Sequence, residues 1–229
     1  MKRSPHFIQS FEKVVRVMGA FSQSEQFLSL SEIVTLTGLG EPQAQRCTHT
    51  LSATGFLEQH TKAGRFRLVK RCLDFGFHFL RSHPLVSLAT PILLQLRRDC
   101  GERTNLSLFD GATLIYVIRL HDKREYPQFS TLMGRRIATF CSAGALAMLA
   151  TLPNEEVREI LAVSDMTPLT SDTVTDHDRI MEEIEKTRIR GYGFVVNESA
   201  PSEVTVAAVV RDAEGRAIAA VHIAGSVTK

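Results

Sequence analysis

The amino-acid sequence predicts an α+β chain built from an N-terminal winged helix-turn-helix (residues 1–70), a linker helix (71–83) and a larger α+β domain (84–229). Three observations carry this expectation. Apolar residues recur with helical spacing through the first 55 positions and are interrupted by Gly38-Leu39-Gly40, a tight turn between two short helices. From Thr104 the period shortens to that of strands around Asp110-Gly111, and strands and helices then alternate. Finally, 229 residues at 44% hydrophobic suffice for two cores of ordinary size, because domains commonly run to roughly 100–150 residues.

The N-terminal elements follow one by one. Phe11, Val14, Val15, Met18 and Phe21 lie on one stripe of a first helix that begins near Ser10. Ser29 followed by Glu32 has the spacing of a capping box, which opens a second helix over 30–37 with Ile33 and Leu36 facing inward. Pro42 suits the first turn of a third helix, where its missing N–H would have no partner in any case. Ala44, Cys47 and Leu51 form the inner stripe of that helix, and Gly55 fits its end. Residues 56–59 and 65–68 read as two strands around Lys62-Ala63-Gly64, a hairpin that supplies the wing.

After the wing, Cys72 to Leu80 is rich in bulky apolar residues and ends before His83-Pro84. It reads as a linker helix whose apolar surface either meets a second copy or is buried against its own domain. Leu85, Leu88, Ile92, Leu93 and Leu96 stripe the next helix, closed by Gly101. A hairpin over 104–109 and 113–120, a strand over 129–133 and the turn Gly134-Arg135-Arg136 come next. The small-residue turn Cys141-Ser142-Ala143-Gly144-Ala145 then opens a helix to Thr151. Two helices (154–162 and 175–190) precede strands over 193–196, 204–210 and 217–223.

The chain carries 27 Lys+Arg and 25 Asp+Glu, a near balance that excludes a polycationic tail. The balance is uneven along the sequence: residues 1–71 hold ten basic and five acidic side chains, leaving 17 and 20 for the rest. A basic front joined to an acidic back directs any polyanionic partner to the front. No run approaches the roughly 20 apolar residues of a membrane helix, and the N-terminus lacks a secretory layout, so the expected location is cytoplasmic, away from any membrane. Cys47, Cys72, Cys100 and Cys141 lack the C-x-x-C spacing of a zinc site, which predicts free thiols, no metal and no cofactor.

The expected outer face of the third helix presents Gln43, Gln45, Arg46, His49 and Thr50, all hydrogen-bond donors and none acidic. Arginine can bridge guanine O6 and N7 and glutamine can pair with adenine N6 and N7, so this face is suited to the major groove of a double-stranded DNA operator. Lys62, Arg65 and Arg67 on the wing would meet phosphate or the minor groove. The competing reading from another class is an enzyme or redox sensor using Cys141 or Cys100. Against it, no phosphate loop, HExxH or G-x-S-x-G motif occurs, so no catalytic residue is assigned. A domain that binds only protein is the third possibility.

Over essentially residues 8–226 the sequence resembles the isocitrate lyase regulator (IclR) family of bacterial transcription factors. The carriers are Gly38-Leu39, Arg46, the wing end Gly64-Arg65-Phe66-Arg67-Leu68, Phe109-Asp110-Gly111, Gly134-Arg135-Arg136, Arg190-Gly191-Tyr192 and the stretch from Arg211 to Arg216 followed by Ala219-Ala220 and Gly225. The resemblance implies a homodimer or homotetramer that represses or activates catabolic operons. It also makes the C-terminal domain a GAF-like sensor for a small organic acid. The implied effector positions are Ser142, Ala143 and Gly144 on the small-residue turn and Val195, Thr205, His222 and Ala224 on the late strands. Several of these depart from the family pattern, where an acid, a cysteine and two serines are frequent at 195, 205, 222 and 224. The usual lysine and histidine near the turn are here Leu146 and Phe140. The expected pocket is therefore apolar, with His222 as the carboxylate partner of a larger or aromatic acid.

Overall fold

In the N-terminal unit α1 (Gln9–Ala20), α2 (Leu30–Thr37) and α3 (Glu41–Ala53) enclose Val17, Ile33, Ala44 and Leu51, and the antiparallel strands β1 (Leu57–Gln59) and β2 (Phe66–Leu68) close one side. The computed structural model describes residues 4–21, 27–60, 63–121 and 133–227. The chain divides into two units, Met1–Phe79 and Leu80–Lys229. Ser29 caps α2 through both halves of a capping box with Glu32, and Gly38 ends the helix at φ 64°.

The inner stripe of α1 differs from the expected one. Val14, Val17, Met18 and Phe21 face the core, whereas Phe11 and Val15 are at least half exposed. Phe11 stands a turn before the first core contact, and Val15 falls on the flank of the i, i+3, i+4, i+7 stripe. On α2, Thr37 is buried in place of Leu36, its hydroxyl donating to the Ile33 carbonyl at 2.5 Å.

The unit boundary falls inside α4 (Cys72–Ser82), which has no buried residue. Beyond it, α5 (Pro84–Cys100) leads to β3 (Arg103–Asp110), β4 (Thr113–Leu120), β5 (Arg136–Ala138), α6 (Ala143–Leu149), α7 (Asn154–Val163) and α8 (His177–Arg190). Strands β6 (Gly193–Val196), β7 (Glu203–Arg211) and β8 (Ala217–Ser226) complete an antiparallel sheet in the order β5-β4-β3-β8-β7-β6. Two of the shifts in element boundaries bear on the sheet. The hairpin loop falls one residue later, on Gly111-Ala112, because Asp110 still pairs with Thr113, and Arg136 belongs to a strand. The strand expected over 129–133 lies outside the described residues save Met133, which is in a turn.

One face of the sheet packs Leu106, Ile118 and Ala219 against Ala89 and Leu93 of α5. The other carries α6, every residue of which is buried, and behind α6 lie Val157 and Leu161 of α7 and Ile180 and Ile184 of α8. Alanine and glycine let the α6 backbone descend onto the strands. A Cβ on Gly193 would stand 1.9 Å from the Ala143 carbonyl oxygen, so β6 passes α6 where only hydrogen fits.

Gly193→Ala should therefore destabilise the C-terminal unit by about 1–3 kcal/mol, read as a lower urea midpoint. Gly19→Ala in α1, whose Cβ would meet nothing within 4 Å, is the control and should leave the midpoint unchanged or slightly raised.

Candidate functional site

The first candidate surface is α3. Ala44, Cys47, Thr48 and Leu51 are buried, which turns Gln43, Gln45, Arg46, His49 and Thr50 outward as one exposed polar face. Thr50 donates its hydroxyl hydrogen to the Arg46 carbonyl at 2.8 Å, so the hydroxyl oxygen keeps its lone pairs to accept from elsewhere. An exposed helix face that carries a guanidinium and two amides but no carboxylate can donate to base edges without repelling phosphate.

The wing is organised differently from the sequence expectation. Arg65 donates to both carboxylate oxygens of Glu32 at 2.9 Å and to the Phe27 carbonyl at 3.0 Å. Its donors therefore fasten β2 to the capping box of α2, and Leu28 extends the wing by an isolated bridge to Phe66. Hydrogen bonds from Ser29, followed by the Arg65 charge, hold the Glu32 carboxyl below its usual range. Half-exposed pairs add little stability, so the contribution of this one is orientation. Arg67 is ion-paired with Glu58, and its guanidinium lies 5.3 Å from the centre of the Phe27 ring. Lys62 lies outside the described residues.

The second candidate is a cavity of about 320 Å³ in the C-terminal unit, at the α6 end of the sheet. Its wall includes Arg103, Tyr116, Arg119, Arg135, Ile137, Ser142, Leu169, Glu203 and Ala224. The expectation of an apolar pocket is corrected here, since three guanidinia face one carboxylate. Arg103 is ion-paired with Glu203, whose other oxygen accepts from Ser199 and Thr205 at 3.3 Å. Arg119 stacks over the Tyr116 ring at 4.2 Å, yet among the described residues its buried Nε and Nη1 have no hydrogen-bond partner. Burial pushes the Tyr116 hydroxyl up from its ordinary pKa, while Arg119 pulls the other way.

Of the seven effector positions expected from sequence, Ser142 and Ala224 reach this wall. Ser142 caps α6 and donates to the Ala138 carbonyl at 3.2 Å. Ala143, Gly144, Val195 and Thr205 are buried behind the wall, with Val195 in the α6–α8 core. His222 requires a correction of its chemistry. Its ring is fully buried, shares a 2.7 Å hydrogen bond with Ser107, stands edge-on to Tyr116 and sits where a Cβ on Gly144 would come within 2.0 Å. Burial first, then Arg119 and Arg103, pull its pKa down to about 3, so the ring is a neutral wedge and supplies no charge to a carboxylate.

Sequence reasoning missed Arg103, Tyr116 and Arg119. A usable signal existed on the second arm, where Arg119 interrupts the apolar run from Leu114 to Leu120. Tyr116 and Arg119 are three residues apart and would face opposite ways on a regular strand. A bulge corrects the parity: Ile118 pairs with Leu106 and Tyr116 with Ser107, leaving Val117 extra and aiming both side chains at the cavity.

Of the two thiols of the enzyme reading, Cys141 lacks the reactive character that it needs. Cys141 is buried, and burial, followed by Glu198, pushes its thiol up to about 12, which keeps it protonated. Cys100 is exposed at the end of α5 beside the Glu102 carbonyl. Among the described residues, no group of three His, Cys, Asp or Glu side chains could hold a metal ion, and no helix is long and apolar enough to cross a membrane.

The buried neutral histidine has a measurable consequence. A folded pKa near 3 against 6.5 when unfolded means that His222 favours folding above pH 6.5 and that this contribution is lost as pH falls toward 3. Each unit of that window costs up to about 1.4 kcal/mol. The urea midpoint of the unaltered chain should fall between pH 6.5 and 4, and His222→Gln, able to keep the bond to Ser107, should flatten that fall.

Comparison with known proteins places both units. Residues 77–229 match the family model "Bacterial transcriptional regulator IclR C-terminal", and residues 10–61 match "IclR helix-turn-helix domain". The chain is 26% identical to the Pca regulon regulatory protein of Pseudomonas putida, over 98% of this chain and 78% of that one. Its fold is similar to that of an IclR family transcriptional regulator from Brucella abortus, with a TM-score of 0.81 at 20% identity, covering 100% of this chain and 85% of the other. It is also similar to an IclR homolog complexed with 4-hydroxybenzoate from Microbacterium hydrocarbonoxydans, with a TM-score of 0.75 at 22% identity, covering 96% and 90%. Because the C-terminal model alone spans well over half of the sequence and the second model adds the helix-turn-helix, the chain belongs to the IclR family of bacterial transcriptional regulators.

Proposed function

We propose that the chain binds an operator as a homodimer or homotetramer in the cytoplasm and controls a catabolic operon in response to a small organic acid. The outer face of α3 carries the DNA half of this reading: five exposed polar side chains, none acidic, stand opposite a buried apolar stripe. Arg46 and the two glutamines then read bases, while Arg65 holds the wing against α2 and Arg67 lies beside it. The effector half is supported by the arginine-lined cavity that Ser142 and Ala224 border, and by the acid bound to the similar Microbacterium protein. No bond is made or broken. The acid shifts the balance between DNA-competent and incompetent arrangements only through its different affinity for them.

Association of two copies is supported by α4. Leu73 and Phe77, four residues apart on one side of a helix with no buried residue, are 73% and 60% exposed, an apolar surface that a second copy would remove from water.

Titration of upstream DNA fragments by fluorescence anisotropy tests the first half. Arg46→Ala should weaken operator binding by roughly tenfold or more with an unchanged thermal midpoint, and binding by the unaltered chain should fall steeply with salt. Equal affinity of the two proteins, or salt-insensitive binding, would remove α3 from the interface. By light scattering, Phe77→Glu should shift the unaltered oligomer toward monomer, and an unmoved mass would exclude α4 from the contact.

A further inference from the structure

The cavity holds more positive charge than its own walls compensate. Arg103 is engaged by Glu203, and Glu203 is itself saturated, because Ser199 and Thr205 donate to the oxygen that Arg103 leaves. Two guanidinia remain. Among the described residues no carboxylate lies at ion-pair distance from Arg119 or Arg135. Arg119 also keeps two buried nitrogens without a partner, a cost to the folded chain that a bound anion would remove.

Neighbouring groups point the same way. Asn105 is 1% exposed, pairs in register with Arg119 on one side and His222 on the other, and has neither amide atom hydrogen-bonded. Buried polar groups in folded chains nearly always have a partner, so the orphaned Arg119 nitrogens on the cavity wall, with the orphaned Asn105 on the strand beside them, mark a place for a polar occupant. Arg135 stands just before β5, where its carbonyl accepts the Tyr116 N–H at 3.1 Å. Ile137, Leu169 and Pro201 supply apolar wall beside the cations.

Resting on the reading of this cavity as the effector site, we infer that its ligand is a dicarboxylate, with one carboxylate on Arg119, the other on Arg135, and its carbon skeleton against Ile137 and Leu169. A monocarboxylate on Arg119 leaves Arg135 unengaged, so a dicarboxylate gains an ion pair that a monocarboxylate lacks, and binds more tightly for it. A phosphate monoester matches the charge but puts it at one end and leaves the apolar wall without contact. His222 contributes shape, holding Tyr116 edge-on beneath Arg119.

Matched acids separate these cases. Succinate, adipate and phthalate are compared with butyrate, hexanoate and benzoate, and glycerol 3-phosphate is added, using the full chain in calorimetric titration and in operator-binding assays. At least one dicarboxylate should bind about tenfold or more tightly than its monocarboxylate counterpart and change operator affinity. Arg119→Met and Arg135→Met should each erase that preference. Both variants should fold, since the first removes orphaned donors and the second is at an exposed position. Monocarboxylates that bind as tightly as their partners and alter operator affinity would overturn the dicarboxylate while leaving the acid sensor standing. Preference for glycerol 3-phosphate would overturn it in favour of a phosphoryl group. If no acid bound or altered operator affinity, both the inference and the sensor reading would fall.

Discussion

The close seat of α6 on the sheet governs the C-terminal unit. At Gly193 the strand approaches the Ala143 carbonyl, and at Gly144 the helix approaches the His222 ring, in both places closer than a methyl group allows. Such contact is possible because Ala143, Ala145 and Ala147 carry no bulk, and it places the α6 N-terminus and Cys141 directly over β7 and β8. The cavity is bounded by Ser142 on the helix side and by Arg103 of β3, Arg119 of β4 and Arg135 just before β5.

Charge is used differently in the two units. In the N-terminal unit the wing arginines are drawn into the domain by Glu32 and Glu58, while the α3 face keeps Arg46 unopposed. The capping box explains how: the carboxylate that caps α2 also anchors β2, so one acid fixes both the entry of the helix-turn-helix and the position of the wing. In the C-terminal unit a net-acidic sequence encloses a cationic cavity, because its acids are distributed over surface helices while Arg103, Arg119 and Arg135 converge. Regional net charge therefore indicates which unit meets DNA and says nothing of what the sensor binds.

Local chemistry was legible wherever it is complete within a few residues. Ser29 with Glu32, Gly38 after Thr37 and Pro42 in a first turn are such cases, and the second helix was read with its observed limits. The outer face of α3 was legible for the same reason, since Ala44, Cys47 and Leu51 fix its rotation. The stripe of α1 was misplaced because its sequence offers more apolar residues than the core accepts, and contacts from α2 and α3 decide which are used.

By itself, then, the sequence determined the helix-turn-helix, its outward-facing polar residues, the order of strands and helices, and the family resemblance. The first two follow from spacing of a few residues along one element, and the resemblance from motifs ordered along the whole chain. Only the tertiary structure decided the pocket. Arg103 meets a carboxylate 100 residues away because β8 lies between β3 and β7, and Arg119 joins Tyr116 on one face because of a single extra residue at Val117. The same packing turned His222 from an expected charge donor into a neutral wedge, since a ring enclosed under Gly144 has no water to support its proton.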